Sequence, residues 1–414
     1  MRKLFILFLL ISVQVSLSAQ QRTHMPYSIY GLGKIYPKGF SHNMALGRSG
    51  IALSSPRYLN NINPASYHSI DSVSFFFDFG LGADWVKYST NREGSQHGMD
   101  VNLRNIAMGF RVSRNLSSSI GISPYSSIGY KIQTTKKIQG TENDEFDVEI
   151  TGNGGLNQFY WNNSYKLFNH LSLGVNFTYL FGNIESSEKV NSGSLANDII
   201  IKQSSYLNKL YADFGFQFFF PVKKDFSVTL GGIFGNSHKI NLKDRFIITD
   251  SEGNISQDEV TREGHFKMPY HAGGGFAVSY KKSLTLNADY IYYDWSNTPS
   301  EVSNFKYRSN QMLRFGLEII PGRVSKMGYF GLVAYRAGFY HEESYLEIRN
   351  RRFSDNGFSL GLGLPFLQNR TSINISYNYG INGTLENNLI RENYHSFMFS
   401  LTLHDWWFIQ RKID

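Results

Sequence analysis

The chain has 414 residues, 41 Lys and Arg against 33 Asp and Glu, a net charge of +8 and no cysteine. Mild, scattered positive charge makes no case for nucleic acid. The lack of cysteine excludes a disulfide-stapled secreted module and a lipoprotein acylated on cysteine.

The first segment, "MRKLFILFLLISVQVSLSAQ", opens on Arg2 and Lys3, runs apolar from Leu4 to Val15 and ends in small residues before Gln20. That order is a secretory signal, expected over residues 1–19 with cleavage near Ala19. Its apolar run is too short for a membrane-spanning helix, so the signal directs the chain to the envelope.

Residues 20–71 show no strand alternation. Turn-forming Gly31, Gly33, Gly39, Gly47, Gly50, Pro56 and Pro64 are interspersed with Ile51, Ala52, Leu53 and Leu59. A disordered arm would carry fewer apolar residues, so a folded insert is expected here.

From residue 72 the pattern changes. In "VSFFFDFGLGADWVKY", residues 73 to 88, Val73, Phe75, Phe77, Phe79, Leu81, Ala83 and Trp85 occupy alternate positions, the period of a strand with one apolar face. The alternation outlasts an ordinary soluble strand and is long enough to cross a membrane at a tilt. It recurs at Ile106–Val112, Leu116–Ile132, Leu156–Tyr160, Leu171–Phe181, Phe214–Phe220, Phe226–Leu230, Phe276–Tyr280, Leu284–Tyr292, Leu313–Ile319, Val333–Phe339, Phe358–Phe366, Ile373–Tyr379 and Phe397–Leu403. With the first, these make about fourteen strands. Short links alternate with long polar ones at 87–101, 134–153, 185–207, 237–266, 296–308, 341–356 and 381–393. The expectation is all-β: a transmembrane antiparallel outer-membrane β-barrel of about fourteen strands over 72–414, with residues 20–71 as a hatch inside its lumen. Aromatics at 15% and 38 glycines suit aromatic girdles and a crowded interior. Trp406, Trp407 and Phe408 close the last strand at an interface, although the tail "IQRKID" departs from the commoner aromatic ending.

Three features carry possible chemistry. Pro124 interrupts the third strand, where the missing N–H removes a ladder bond and marks a bulge or kink. "GFSLG", residues 357 to 361, matches the nucleophile-elbow pattern around Ser359, but it lies inside a strand rather than at a strand-to-helix turn, so no enzyme is expected. No metal-ligand spacing appears, and no cofactor is expected. Charges on the face opposite the apolar stripe include Asp78, Asp84, Arg111, Lys131, Asp213, Asp289, Arg314, Glu318 and Arg336. Either a cation among Arg111, Lys131, Arg314 and Arg336 meets a ligand, or these charges pair with each other and with hatch backbone.

Asn63, Pro64 and Ala65, with Gly47, Gly50 and Ala52 upstream and the first strand just beyond, resemble the N-terminal hatch of the FadL family. That family comprises outer-membrane transporters for long-chain fatty acids and other hydrophobic compounds. The motif covers about residues 43 to 66, and the architectural likeness covers the mature chain. The resemblance implies a passive transporter of fatty acids or aromatic hydrocarbons. It also implies a third strand bent inward around Ser123, Pro124 and Tyr125, through which ligand leaves sideways into the bilayer. The implied partners are a hydrophobic small molecule, outer-membrane lipid and lipopolysaccharide, with the barrel a monomer. The alternative is a non-transporting barrel of the same family, like those resembling PorV, that serves protein secretion at the cell surface.

Overall fold

The computed structural model describes residues 26–72, 74–91, 94–137, 145–191, 198–299, 305–323, 328–366 and 371–406. The signal, Val73 and the tail beyond 406 lie outside them.

Fourteen antiparallel strands close into a barrel. In chain order they are Ser74–Thr90, Gly94–Arg111, Leu116–Lys137, Glu145–Phe168, Leu171–Asn191 and Ile199–Lys223. The seventh is split into Phe226–Gly235 and His238–Asp250, and the eighth into Ile255–Met268 and Tyr270–Tyr280. Then come Leu284–Asp294, a tenth formed by Phe305–Tyr307 and Asn310–Ile319, and Ala334–Ile348, Arg351–Phe366, Thr371–Gly383 and Arg391–Trp406. The fourteenth pairs with the first from Trp406 opposite Ser74 to Arg391 opposite Ser89, so the sheet has no first or last edge at membrane height.

The alternation predicted from the sequence marks the outward face. Phe214, Leu286, Phe315, Phe339, Leu360 and Phe397 are each about half exposed, Phe397 at 51%. Such side chains repeat around the whole wall, which water would not tolerate and lipid does. Among the described residues no helix is long and apolar enough to cross a membrane; the crossing is made by strands.

The structure corrects the loop assignment on one side. Much of 134–153, 185–207, 237–266 and 341–356 is strand rather than loop, and the third to eighth strands stand tall beyond the apolar belt. Outside the membrane both faces meet water, so apolar alternation stops while the backbone ladder continues. The opposite end keeps short turns, as at 112–115, 169–170 and 224–225.

Residues 26–72 fill the lumen. They form a 3-10 turn at Pro26–Ile29, a two-residue strand at Lys34–Ile35, one helical turn at Ser41–Met44 and a 3-10 helix at Pro64–Ser69. The segment descends through the barrel. Tyr27 bonds Ile390 beside the outer end of the fourteenth strand, and the Ile70 carbonyl accepts from Arg111 at the opposite end.

Candidate functional site

The motif residues attach the hatch to the wall. Asn63 is fully buried. Its Oδ1 accepts from the Ala65 N–H at 3.0 Å, and its Nδ2 donates to the carbonyls of Ile51 at 2.8 Å and Phe216 at 3.0 Å. It therefore caps the 3-10 helix and ties it to the sixth strand. Pro64 fills the first helical position, where no N–H is needed. The Ala65 carbonyl accepts from Ser164 and Ser172, both at 2.9 Å. A Cβ on Gly174 would stand 2.3 Å from the Ala65 nitrogen, so the wall must be bare there for the motif to dock.

Higher up, Gly47 adopts φ +64° and donates its N–H to Ser359 Oγ at 2.9 Å; that hydroxyl donates to the Ala45 carbonyl at 3.0 Å. Ser359 is thus an anchor for hatch backbone, which accounts for a serine in mid-strand without catalysis. The N–H groups of Gly50 and Ile51 converge on Asp289 Oδ2 at 2.6 and 3.0 Å.

Several interior charges are paired. Asp213 meets Lys38 at 3.1 Å, Asp84 meets Arg104 at 2.6 Å, and Arg336 meets Glu318 at 2.7 Å. Arg48, itself left-handed at φ +64°, bonds Glu342 and Asp355 at 2.9 Å each and Tyr394 at 2.8 Å. Its guanidinium lies over the Tyr340 ring. Low on the hatch, the His68 ring stacks on Phe219 at 4.5 Å. Burial, helped by nearby Lys166 and Arg111, pushes its imidazole down to about 4.

Between the hatch body and the outer end lies a cavity of about 320 Å³. Its lining includes Lys34, Tyr125, Asp213, Tyr293, Arg314 and Tyr394, a mixed polar and aromatic surface. Leu32, Leu156, Leu180, Leu207, Trp295 and Leu346 form part of a buried apolar cluster, with Tyr27, Tyr30 and Tyr125 packed against it.

The wall beside this cavity is interrupted. The second and third strands pair only from Arg111 opposite Ser117 up to Ile106 opposite Ile122; from residue 123 outward the third strand has no ladder to the second. On its other side the third strand slips register to the fourth between Pro124 and Ser126. Ser126, Ser127, Ile128 and Tyr130 are then all buried, as expected of a strand pushed into the lumen. Lys34 and Ile35 pair with Ser127 and Ser126, and the Tyr36 N–H donates to the Tyr125 carbonyl at 2.9 Å. A hatch segment thus occupies part of the freed edge. Across from it Arg104 covers the Tyr36 ring at 4.4 Å.

The predicted site residues fall into separate places. Ser123, Pro124, Tyr125 and Arg314 line the cavity. Arg314 is already held, bonding Glu342 and the Arg48 carbonyl at 2.9 Å each. The other three cations stand away from the cavity lining. Arg111 donates to the carbonyls of Ile70 and Ser113 at the base of the barrel. Lys131 pairs with Glu149 on the exposed wall extension at 3.0 Å. Arg336 is sealed beneath the hatch against Glu318, Asn374 and Tyr58. Arg48, Lys34, Glu342, Asp355 and Tyr394 were not singled out from the sequence. Arg48 had a signal, a cation inside a glycine-rich stretch, whereas Glu342 and Asp355 sat in segments read as loop.

Known structures share this architecture. A FadL homologue from Pseudomonas aeruginosa is 14% identical with a TM-score of 0.63, covering 90% of this chain and 99% of its own. The P. putida toluene transporter TodX is 13% identical at 0.61, covering 90% and 100%. The Ralstonia pickettii toluene transporter TbuX is 11% identical at 0.54, covering 89% and 98%. At these identities the likeness is one of fold, an outer-membrane barrel of FadL type. No curated protein matches the sequence. The sequence profile of the family described as BamG matches residues 1–414, the whole length, and the chain belongs to the BamG family.

Proposed function

We propose that this barrel passes hydrophobic compounds from the outer surface into the plane of the outer membrane, through the interrupted wall between the second and third strands. One observation carries the reading. Asn105 on the second strand and Ser123, Pro124 and Tyr125 on the third line the same cavity, and they flank the place where the ladder stops. A molecule in that cavity lies beside the interruption, where only the hatch segment Lys34 to Tyr36 fills the freed edge. The straight route is closed by the hatch bonds at Asn63, Gly47, Gly50 and Ala65. The outward side chains next to the seam, Leu103 and Ile122, are apolar and about 40% exposed, which suits exit into hydrocarbon. The similar barrels of known structure named as toluene transporters support a small apolar cargo.

The second reading, a barrel that serves a protein partner at the surface, draws on a different observation. Among the described residues Ile255–Met268 pairs with His238–Asp250 along one side only and stands beyond the belt, an edge that could accept a partner strand.

The two readings separate on one experiment. Because the chain has no cysteine, Asn105→Cys with Ser123→Cys can be oxidised to extend the wall by one rung at the base of the seam. Binding of toluene or a fluorescent fatty acid by the purified protein is expected to persist, with uptake into cells expressing the locked barrel falling and recovering on reduction. Uptake unaffected by the lock would sink the lateral route. Absence of binding to the unmodified barrel would favour the partner reading.

A further inference from the structure

The short turns of the sixth to eleventh strands, at the end that outer-membrane barrels turn to the periplasm, are joined into one surface. The Lys281 N–H donates to the Asp225 carbonyl at 2.6 Å, linking the turn after the sixth strand to the turn after the eighth. The Ile320 N–H donates to the Ser283 carbonyl at 2.7 Å, and Ser283 Oγ donates to the Ile320 carbonyl at 2.7 Å. These bonds bring in the connection 320–333. That connection is long for this end of the barrel and carries Tyr329 and Phe330 at 51% and 71% exposure, edge to face at 6.1 Å.

Two features point to what this surface meets. The first is charge: Lys223, Lys224, Lys281 and Lys282 are exposed on the two neighbouring turns, with Asp225 the acid among them. Lys281 and Lys282 stand at φ +50° and +53° as the central residues of the turn closed by the Ser283 N–H on the Tyr280 carbonyl at 2.9 Å, within the three-residue connection between paired Tyr280 and Leu284. That geometry favours Asn and Gly, so a lysine pair is retained against local preference. The second is direction: Tyr335 faces outward between buried Ala334 and Arg336, and its hydroxyl donates to the Phe330 carbonyl at 3.3 Å. Phe330 therefore lies on the lipid side of the wall, next to outward Ile319. Phe226 and Tyr280 pack at 4.6 Å above the lysines, with Lys281 5.2 Å from the Tyr280 ring.

We infer that these turns form a foot seated in the periplasmic leaflet, with Tyr329 and Phe330 at the level of the headgroups and the four lysines binding anionic phospholipid headgroups. Aromatic rings settle at that depth, and clustered lysines near a surface add attraction for anionic lipid. The inference is independent of what passes through the barrel.

The test uses the full protein in vesicles of phosphatidylcholine, with and without phosphatidylglycerol. Lys281→Asn with Lys282→Gly removes two charges while suiting the turn. The unmodified protein is expected to show a higher heat-unfolding midpoint in the anionic vesicles. The variant should lose most of that increment and bind short-chain phosphatidylglycerol roughly thirtyfold more weakly, with its midpoint in neutral vesicles the same or higher. An equal increment in both proteins would overturn the lysine assignment. A nitroxide on Phe330→Cys reads depth separately. Greater collision with oxygen than with a water-soluble nickel chelate is expected, and the reverse order would overturn the foot and give this face to an aqueous periplasmic protein.

Discussion

Arg48 of the hatch and Glu342 of the eleventh strand form an ion pair at 2.9 Å inside the barrel, and the same guanidinium reaches Asp355 of the twelfth strand at 2.9 Å. One hatch cation thereby offsets two wall carboxylates that face the cavity. Arg48→Met would leave Asp355 with Tyr394 alone as its bonded neighbour and Glu342 with Arg314. Breaking a buried pair on one side costs about 3–5 kcal/mol. Hatch docking is expected to weaken by that order, seen as protease cleavage between residues 40 and 60 and as new conductance in planar bilayers. Adding Asp355→Asn to Arg48→Met, which keeps Glu342 for Arg314, should recover part of the loss.

Gly174 tests the docking of the Asn-Pro-Ala motif. Gly174→Val places a side chain where the Ala65 nitrogen and the Pro64 carbonyl carbon already lie, 2.3 Å from the position of its Cβ. The barrel should still assemble and migrate differently before and after boiling, because valine favours strands. The 3-10 helix at residues 64–69 should be displaced and become accessible to protease. A variant as protected as the unmodified protein would mean the wall can yield at that point.

Ser359→Ala separates anchoring from catalysis. The substitution leaves the Gly47 N–H and the Ala45 carbonyl without their shared partner, a loss of about 1–3 kcal/mol. A lowered unfolding midpoint is expected, with no change in turnover of activated esters. Serine-dependent hydrolysis by the unmodified barrel would contradict the anchoring role.

His68 makes hatch docking sensitive to acid. Its imidazole is held down to about 4 by burial, against about 6.5 when free. The undocked form therefore takes up a proton first as pH falls. Docking is favoured fully above the free value and loses strength between about 6.5 and 4, by about 2 kcal/mol at pH 5. Protease protection of residues 64–69 should decline over that window. His68→Phe, which keeps a ring against Phe219, should flatten the profile.

The number and direction of the strands were legible because lipid imposes one rule on every strand at membrane height: apolar outward, small or polar inward. Fourteen runs of that pattern, from Phe75 to Leu403, are the barrel, and no tertiary information was needed to count them. The same rule explains what was hidden. Residues 145–155, 182–191, 199–207, 238–250 and 255–268 stand outside lipid, carry no alternation and read as loop, although their backbones pair in ladders like those of the wall. The hatch motif was legible in part, since Asn63 and Pro64 announce a cap and a helix start in sequence. What they dock against, Gly174 and the carbonyl of Phe216, lies more than a hundred residues away and is set by barrel closure. Pro124 announced an irregular strand, but the end of the ladder at Ile106 and Ile122 and the use of the freed edge by Lys34 and Ile35 depend on where the hatch lies. Charge pairing was decided wholly in three dimensions. Nothing local distinguishes Arg314, which faces the cavity, from Arg336, which is sealed under the hatch, because both are inward residues of neighbouring strands and only the height of the hatch between them separates their surroundings.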